Sequence, residues 1–323
     1  MPHFASAQSL DRTAFLWYYT VRLACDGATM ERICLICNPT AKSGGAGETI
    51  KAVIERLKAR GAEPTVYMTG YPGHATELSR RALAEGYDLI AAVGGDGTMR
   101  ETAVPLIHSD ATFAVVPCGT GNDFARALGI GDDPDAAAEM LLGGETRMLD
   151  AGTANEEVFF NVAGFGFDVD VLDYTEQYKP KCKNGSTAYL RGLLKALFGM
   201  KLRRSVITLP NETLEMNVLL IAAGNGRFFG GGMEVTPNAD PADGLLDICI
   251  IHDVGFFGAL TVLPRFMKGK HLGSRYVTYR KERACAVTCE PVSRIEVDGE
   301  RMPGTPVTFR ILEKALRIRL PRR

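Results

Sequence analysis

The nine residues VGGDGTMRE (93–101) stand between the apolar run DLIAA (88–92) and TAVPLI (102–107). An apolar strand that breaks into glycines and restarts as a helix is the strand-to-helix corner of an α/β fold. Gly94, Gly95 and Gly97 permit a tight turn and let backbone N–H groups come close to an anion, at the positive N-terminus of the following helix. That arrangement suits a phosphate. Asp96 would repel phosphate on its own, so its presence implies a Mg2+ ion or a hydroxyl to be handled beside it. Thr98 can cap the helix and donate to a phosphate oxygen. One such turn is weak evidence, because a simple tight turn with an N-cap explains it equally well.

Outward from this corner the first half of the chain alternates regularly. ICLICNP (33–39), EPTVYMT (63–69) and ATFAVVPCG (111–119) read as strands. GETIKAVIERLKARG (47–61), with Ile50, Val53, Ile54 and Leu57 at helical spacing, HATELSRRALAEG (74–86) and NDFARALGI (122–130) read as helices. Strands alternating with helices imply a mostly parallel sheet with ligands at the carboxyl ends of its strands. A second loop there, PCGTGND (117–123), repeats the logic of the first with Gly119, Thr120 and Gly121, and NPTAKSGG (38–45) supplies a third. Together they read as a nucleotide cradle. The set has neither the GK[ST] of a Walker A loop nor a GxGxxG fingerprint.

After about residue 150 the pattern changes to strands separated by turns, which predicts an antiparallel second unit, a β-sandwich. One helix, STAYLRGLLKALFGM (186–200), interrupts it. The expected division is an extension over 1–29 with little fixed structure, an α/β unit over 30–150 and a β unit over 151–323, whose extreme C-terminus packs back on the first. Met30 directly precedes the first strand, and Asp11 and Arg12 stand where a signal peptide would be basic and then apolar.

Composition sets the outer limits. The 323 residues are 46% hydrophobic and 23% charged, ordinary for a globular protein, and long enough for two domains. A formal net charge of −1 gives no global attraction to nucleic acid, so none is expected as a partner. No apolar run reaches the roughly 18 residues of a membrane span; AFLWYYTVRLAC (14–25) is too short and is interrupted by Arg22. The eight cysteines, including the Cys34–Cys37 pair inside an apolar run, read as buried thiols of a reducing cytoplasm.

Four segments in order, GGDGT (94–98), PCGTGNDFARALGI (117–130), FNVAGFGFDVDV (160–171) and AAGNGRFFGGGMEVTPNADPADGLLDICII (222–251), resemble the diacylglycerol kinase catalytic-domain family, which includes bacterial lipid kinases and sphingosine and ceramide kinases. The match runs from about Arg32 to the C-terminus. GGDGT alone is shared with NAD kinases; GTGNDFAR together with PxADxxDGxLD is specific to the lipid branch. The resemblance implies a nucleotide domain joined to a β-sandwich, with ATP in the cleft between them and Mg2+ as cofactor. It assigns Asn38, Thr69, Gly94, Gly95, Asp96, Gly97, Thr98, Met99, Arg100, Gly119, Thr120, Asn122 and Asp123 to the ATP site. It gives Asp240, Asp243 and the main chain of Leu245 to a Mg2+ in the sandwich, short-spaced oxygen donors of the kind a hard cation takes. Asp243-Gly244 also reads as a hairpin turn.

The same resemblance makes Glu300 the proton acceptor. On its context alone, VDGE, it is an ordinary exposed turn residue. Asp96 is its rival, as base or as a ligand of a magnesium-bound water, and the sequence leaves both open. The implied reaction moves the γ-phosphate of ATP to a lipid hydroxyl, most directly that of diacylglycerol to give phosphatidic acid. An NAD kinase-like enzyme and a non-catalytic nucleotide-binding protein are the alternatives. The lipid itself is not legible, since ceramide, a sphingoid base or a prenol would meet similar apolar side chains. Residues 179–204 carry eight Lys or Arg and no acid. Helix 186–200 therefore reads either as a helix packed on the sandwich with a solvated basic flank, or as one that also rests on the anionic inner membrane surface where such a substrate is presented. An edge of the β unit could pair into a homodimer.

Overall fold

The structure is a computed structural model and describes residues 31–41, 45–182 and 185–322. The extension 1–29 and part of the NPTAKSGG loop, residues 42–44, lie outside the described residues.

Four strands, β1 (Ile33–Cys37), β2 (Thr65–Met68), β3 (Leu89–Gly94) and β4 (Thr112–Pro117), form a parallel sheet in the order β2-β1-β3-β4. Every residue of β1, β3 and β4 is buried, which is why they read as unbroken apolar runs: helices cover both faces. The helices are α1 (Ala46–Ala59), α2 (His74–Ala84), α3 (Asp96–Ala103), α4 (Asp123–Ala127) and α5 (Pro134–Gly143). Helix α5 is not among the helices predicted above, although its start is clear: Asp133 caps it by accepting from the Ala136 N–H at 3.0 Å, and Pro134 follows at the first helical position. All four strands deliver their carboxyl ends to one edge. Strand order reverses between β1 and β3, so Asn38 and the GGDGT corner flank the crevice of the reversal.

The second unit is antiparallel: β5 (Glu145–Ala154), β6 (Glu157–Phe159), β7 (Val162–Gly166), β8 (Arg203–Thr208), β9 (Thr213–Gly224), β10 (Leu246–His252), β11 (Val277–Glu282), β12 (Ala284–Glu290), β13 (Ile295–Val297), β14 (Glu300–Met302) and β15 (Val307–Leu320). β15 pairs antiparallel with β5 and β12 and parallel with β4, through Ile318 opposite Phe113, so the two units share one hydrogen-bonded sheet.

Among the described residues three α-helices, not one, lie between these strands: α6 (Phe167–Tyr178), α7 (Gly185–Phe198) and α8 (Phe256–Phe266). The two extra ones escaped because FDVDV and FFGALTVL are rich in β-branched and aromatic residues, which favour strands locally. Packing overrides that preference. Phe167, Val171, Ala259, Val262 and Phe266 are buried against Leu219, Leu220 and Ile251 on the outer face of the sheet. No helix among the described residues is long and apolar enough to cross a membrane.

Candidate active site

The two glycine corners meet. A Cβ on Gly119 would stand 2.5 Å from the Gly95 Cα, so the GGDGT and PCGTGND loops can touch only as glycines. Each loop is also held from within. Asn122, at φ +55°, accepts from the Gly119 N–H at 2.9 Å and returns a bond to the Gly119 carbonyl at 3.1 Å. The Asn38 side-chain amide donates to Thr98 Oγ1 at 3.0 Å, and Thr40 donates to Asn38 Oδ1. Asn38 thus ties the end of β1 to the start of α3. Thr69 follows β2 at the same edge, its N–H on the Cys37 carbonyl at 2.8 Å, and Thr120 is exposed. Met99 faces the core instead, at 1% exposure.

Two carboxylates converge on Gly121, where a Cβ would lie 2.8 Å from Asp96 Oδ2 and 3.8 Å from Asp123 Oδ2. Asp96 accepts from the Phe124 N–H at 3.3 Å, and Asp123 from the Gly231 N–H at 2.7 Å. Asp123 Oδ1 is buried without a hydrogen-bond partner, and the half-exposed Arg126 guanidinium stands 4.0 Å from it. Burial, with Asp96 adding to it, raises the Asp123 pKa above the usual carboxylate range. A buried oxygen without a hydrogen bond, beside a second carboxylate and with only a half-exposed arginine near it, fits a hard cation, so these residues are suited to Mg2+ carried by a nucleotide.

Across the cleft stand Asn161 and the turn Asp298-Gly299 from the β unit; the space between is ≈ 240 Å³. Asp298 accepts from the N–H groups of Phe160, Asn161 and Val162 at 2.7–3.1 Å, yet burial still lifts its pKa to about 6. Glu300, one residue past this turn, is bound by Arg100: Nη1 lies 2.8 Å from Glu300 Oε2. Arg100 Nη2 reaches Glu157 at 3.0 Å and its Nε the Val158 carbonyl at 2.9 Å. All three guanidinium nitrogens of Arg100 are therefore committed to the β unit.

Leu172, Phe229 and Gly230 line the polar cleft and also a second cavity, which is almost wholly apolar. This cavity, ≈ 70 Å³, runs between α6, α7 and α8 past Tyr189, Leu193 and Phe266. A carboxylate, Asp168, borders it. Its Oδ1 is buried without a partner, and burial pushes its pKa to about 7. Glu296 behind it is fully buried, which raises its pKa well above the usual carboxylate range, with Asp168 adding to the effect.

The loop assigned to a sandwich Mg2+ is arranged differently. Asp240 and Asp243 fold back on their own turn, accepting from the Ala242 and Leu245 N–H groups at 3.1 Å, and Gly244 takes φ +74°. The free oxygen of Asp243 is 2.6 Å from the Lys281 ammonium, which also lies 3.4 Å from the buried Asp247 Oδ2. A cation already stands there, and among the described residues no group of three or more acidic, His or Cys side chains is placed to hold a metal. Asp240, Asp243 and Leu245 fit Mg2+ only if Lys281 withdraws.

Comparison with known proteins follows these features closely. The model of the diacylglycerol kinase catalytic domain matches residues 32–154, and that of the YegS C-terminal NAD kinase beta sandwich-like domain matches 161–320. A probable lipid kinase YegS-like of Pseudomonas aeruginosa is 34% identical over 280 residues, 85% of this chain and 90% of the relative. The chain belongs to the diacylglycerol kinase catalytic-domain family. A diacylglycerol kinase of Mycobacterium tuberculosis is 30% identical over 298 residues, 90% of this chain and 96% of the relative. The crystal structure of a diacylglycerol kinase from Bacillus anthracis str. Sterne shares the fold at TM-score 0.70 and 23% identity, covering 91% and 98% of the two chains. Membership of this kinase family implies the use of ATP.

Three elements of this kinase-family cleft were not assigned from sequence: Asp298, Asn161 and the Gly230–Gly232 loop. The glycine triplet was the available signal. All three have φ between +63° and +108°, and the loop carries the Gly231 N–H to Asp123.

Proposed function

We propose that this protein transfers the γ-phosphate of Mg2+-bound ATP to the primary hydroxyl of diacylglycerol, giving phosphatidic acid. The observation that carries this reading is the shared wall of Leu172, Phe229 and Gly230. It joins an aspartate-lined cleft at the carboxyl edge of a parallel sheet to an apolar cavity in the neighbouring unit. A polar head with a reacting hydroxyl sits in the first while an acyl chain enters the second.

The N–H groups of residues 94–98, at the start of α3, and of the Gly119–Gly121 turn cradle the phosphates. Asp96 and Asp123 would hold the Mg2+, which would supply charge neutralisation to the transferring group. Glu300 accepts the hydroxyl proton, and Arg100 fixes the direction of its carboxylate. Asn38 and Thr98 hold the floor of the site in place. The enzyme works from the cytoplasm and meets its substrate at the inner membrane surface.

The test is ADP release by the purified protein with ATP and Mg2+ in mixed micelles of diacylglycerol, ceramide, sphingosine or monoacylglycerol, with NAD as a separate acceptor. Turnover with diacylglycerol, reduced at least about a hundredfold in Glu300→Ala, is expected. Turnover with NAD alone, or ATP binding with no acceptor, overturns the reading.

A further inference from the structure

Helices α7 and α8 each present an apolar side to solvent, and the two sides are one surface. Phe198, at the end of α7, is 75% exposed and stacks on Phe256 at 5.7 Å; Phe257 beside it is 81% exposed. Leu190, Leu194 and Leu260 extend the patch, each exposed. Leaving two phenylalanines and three leucines in water forgoes a large hydrophobic gain, which marks a contact site rather than ordinary surface.

The same helices turn their inner faces to the apolar cavity: Tyr189 and Leu193 on α7 and Leu263 and Phe266 on α8 line it. The exposed patch is thus the outer side of the two helices that wall the cavity. Its flanking segments are rich in basic residues; Glu234, which lies against Gly269, is paired with Arg227, and Arg203 and Arg204 are paired with Asp170 and Glu215. Residues 179–204 carry eight Lys or Arg and residues 255–275 carry four, with no Asp or Glu in either segment. Lys195, Lys201, Lys268 and Lys270 are exposed, and none of them is within ion-pairing distance of a carboxylate among the described residues. A second protein would need its own apolar patch ringed by acids. A bilayer containing anionic lipid offers hydrocarbon below and negative charge above it everywhere.

We infer that the joint face of α7 and α8 docks on an anionic lipid bilayer, with Phe198 and Phe257 inserted below the headgroups and the flanking lysines on the phosphates. This places the two cavity-walling helices against the membrane, so that a lipid leaves the bilayer between them. The inference deepens the lipid-kinase reading and rests on it for that consequence. Docking itself is measurable without catalysis.

The experiment is vesicle flotation, without ATP, of the full chain, of Phe198→Ser/Phe257→Ser and of Lys195→Glu/Lys201→Glu. Vesicles are phosphatidylcholine alone or mixed with phosphatidylglycerol. Binding to the mixed vesicles is expected, with little to phosphatidylcholine alone. The serine pair should lose more than about tenfold in partition, and the charge pair about fivefold or more per lysine. A short-chain diacylglycerol kept below its micelle concentration should be phosphorylated equally by all three proteins.

No flotation of the full chain, or equal flotation of the serine pair, overturns the docking face. So does a sedimentation profile in which the full chain is a dimer and the serine pair a monomer, because the patch is then an interface between copies. Flotation lost in the variants while no lipid is phosphorylated by any of them supports the face and removes the kinase reading. Turnover of the short-chain lipid without flotation does the reverse.

Discussion

Replacing Arg100 by methionine separates two roles for this residue. The family resemblance puts it on ATP, whereas the structure turns its guanidinium to Glu300, Glu157 and the Val158 carbonyl. The side chain is 10% exposed, while Glu300 and Glu157 are 45% and 48% exposed, so both carboxylates can return to water once the arginine is gone. Each of those ion pairs contributes at most about 1 kcal/mol, and the charge-assisted bond to the enclosed carbonyl about 1.5–3 kcal/mol. The expected loss is about 2–4 kcal/mol, seen as a Tm lowered by roughly 3–6 °C. Catalysis suffers separately, because Glu300 loses the contact that directs it; misplacing such a group costs about 10- to 100-fold in kcat. Steady-state ADP release at saturating lipid, with ATP varied, should show this fall in kcat and an unchanged KM for ATP. Arg100→Lys, which keeps the charge but cannot make the three bonds together, should fall between. A raised KM for ATP with kcat preserved would refute the reasoning and return Arg100 to the nucleotide.

Other perturbations follow from charges held in unusual places. With a folded pKa near 7 against an ordinary 3.8, Asp168 binds its proton more tightly in the native state, so its contribution to stability declines as pH rises from about 4 to about 7. Asp168→Asn should flatten the urea-unfolding profile over that range, by up to about 4 kcal/mol; an unchanged slope would refute the shift. Because Lys281 neutralises the Asp243 loop, EDTA should leave the Tm of the native protein unchanged, whereas Lys281→Met should gain a Mg2+-dependent rise. A chelation-sensitive native protein would show that a metal displaces the lysine. Burial pushes the thiols of Cys34, Cys37 and Cys285 up to about 12, so among the described cysteines the half-buried Cys182 should be labelled first by a thiol reagent under native conditions. Mass spectrometry of the labelled peptides checks the order.

What could be read in the sequence was local. The GGDGT and PCGTGND corners announce themselves because the demand for glycine and for a helix start falls on neighbouring residues, and the alternation around them dictates the parallel sheet. What escaped acts at a distance. The Gly231 bond to Asp123 spans 108 residues and the Arg100–Glu300 pair spans 200, so neither leaves a periodic or short-range trace. Nor does local composition reveal α6 and α8, whose strand-like residues are helical only because a sheet face is there to receive them. The Asp243 loop shows the same limit. Its carboxylates were legible, but the lysine that answers them comes from β11, 38 residues on.

Strand β15 has a consequence for how the two units depend on each other. It lies between β4, β5 and β12 and covers an edge of each. A break in the chain before residue 307 would therefore uncover three strand edges at once, one on the parallel sheet and two in the antiparallel unit, so damage confined to one strand would make both units prone to edge-to-edge association.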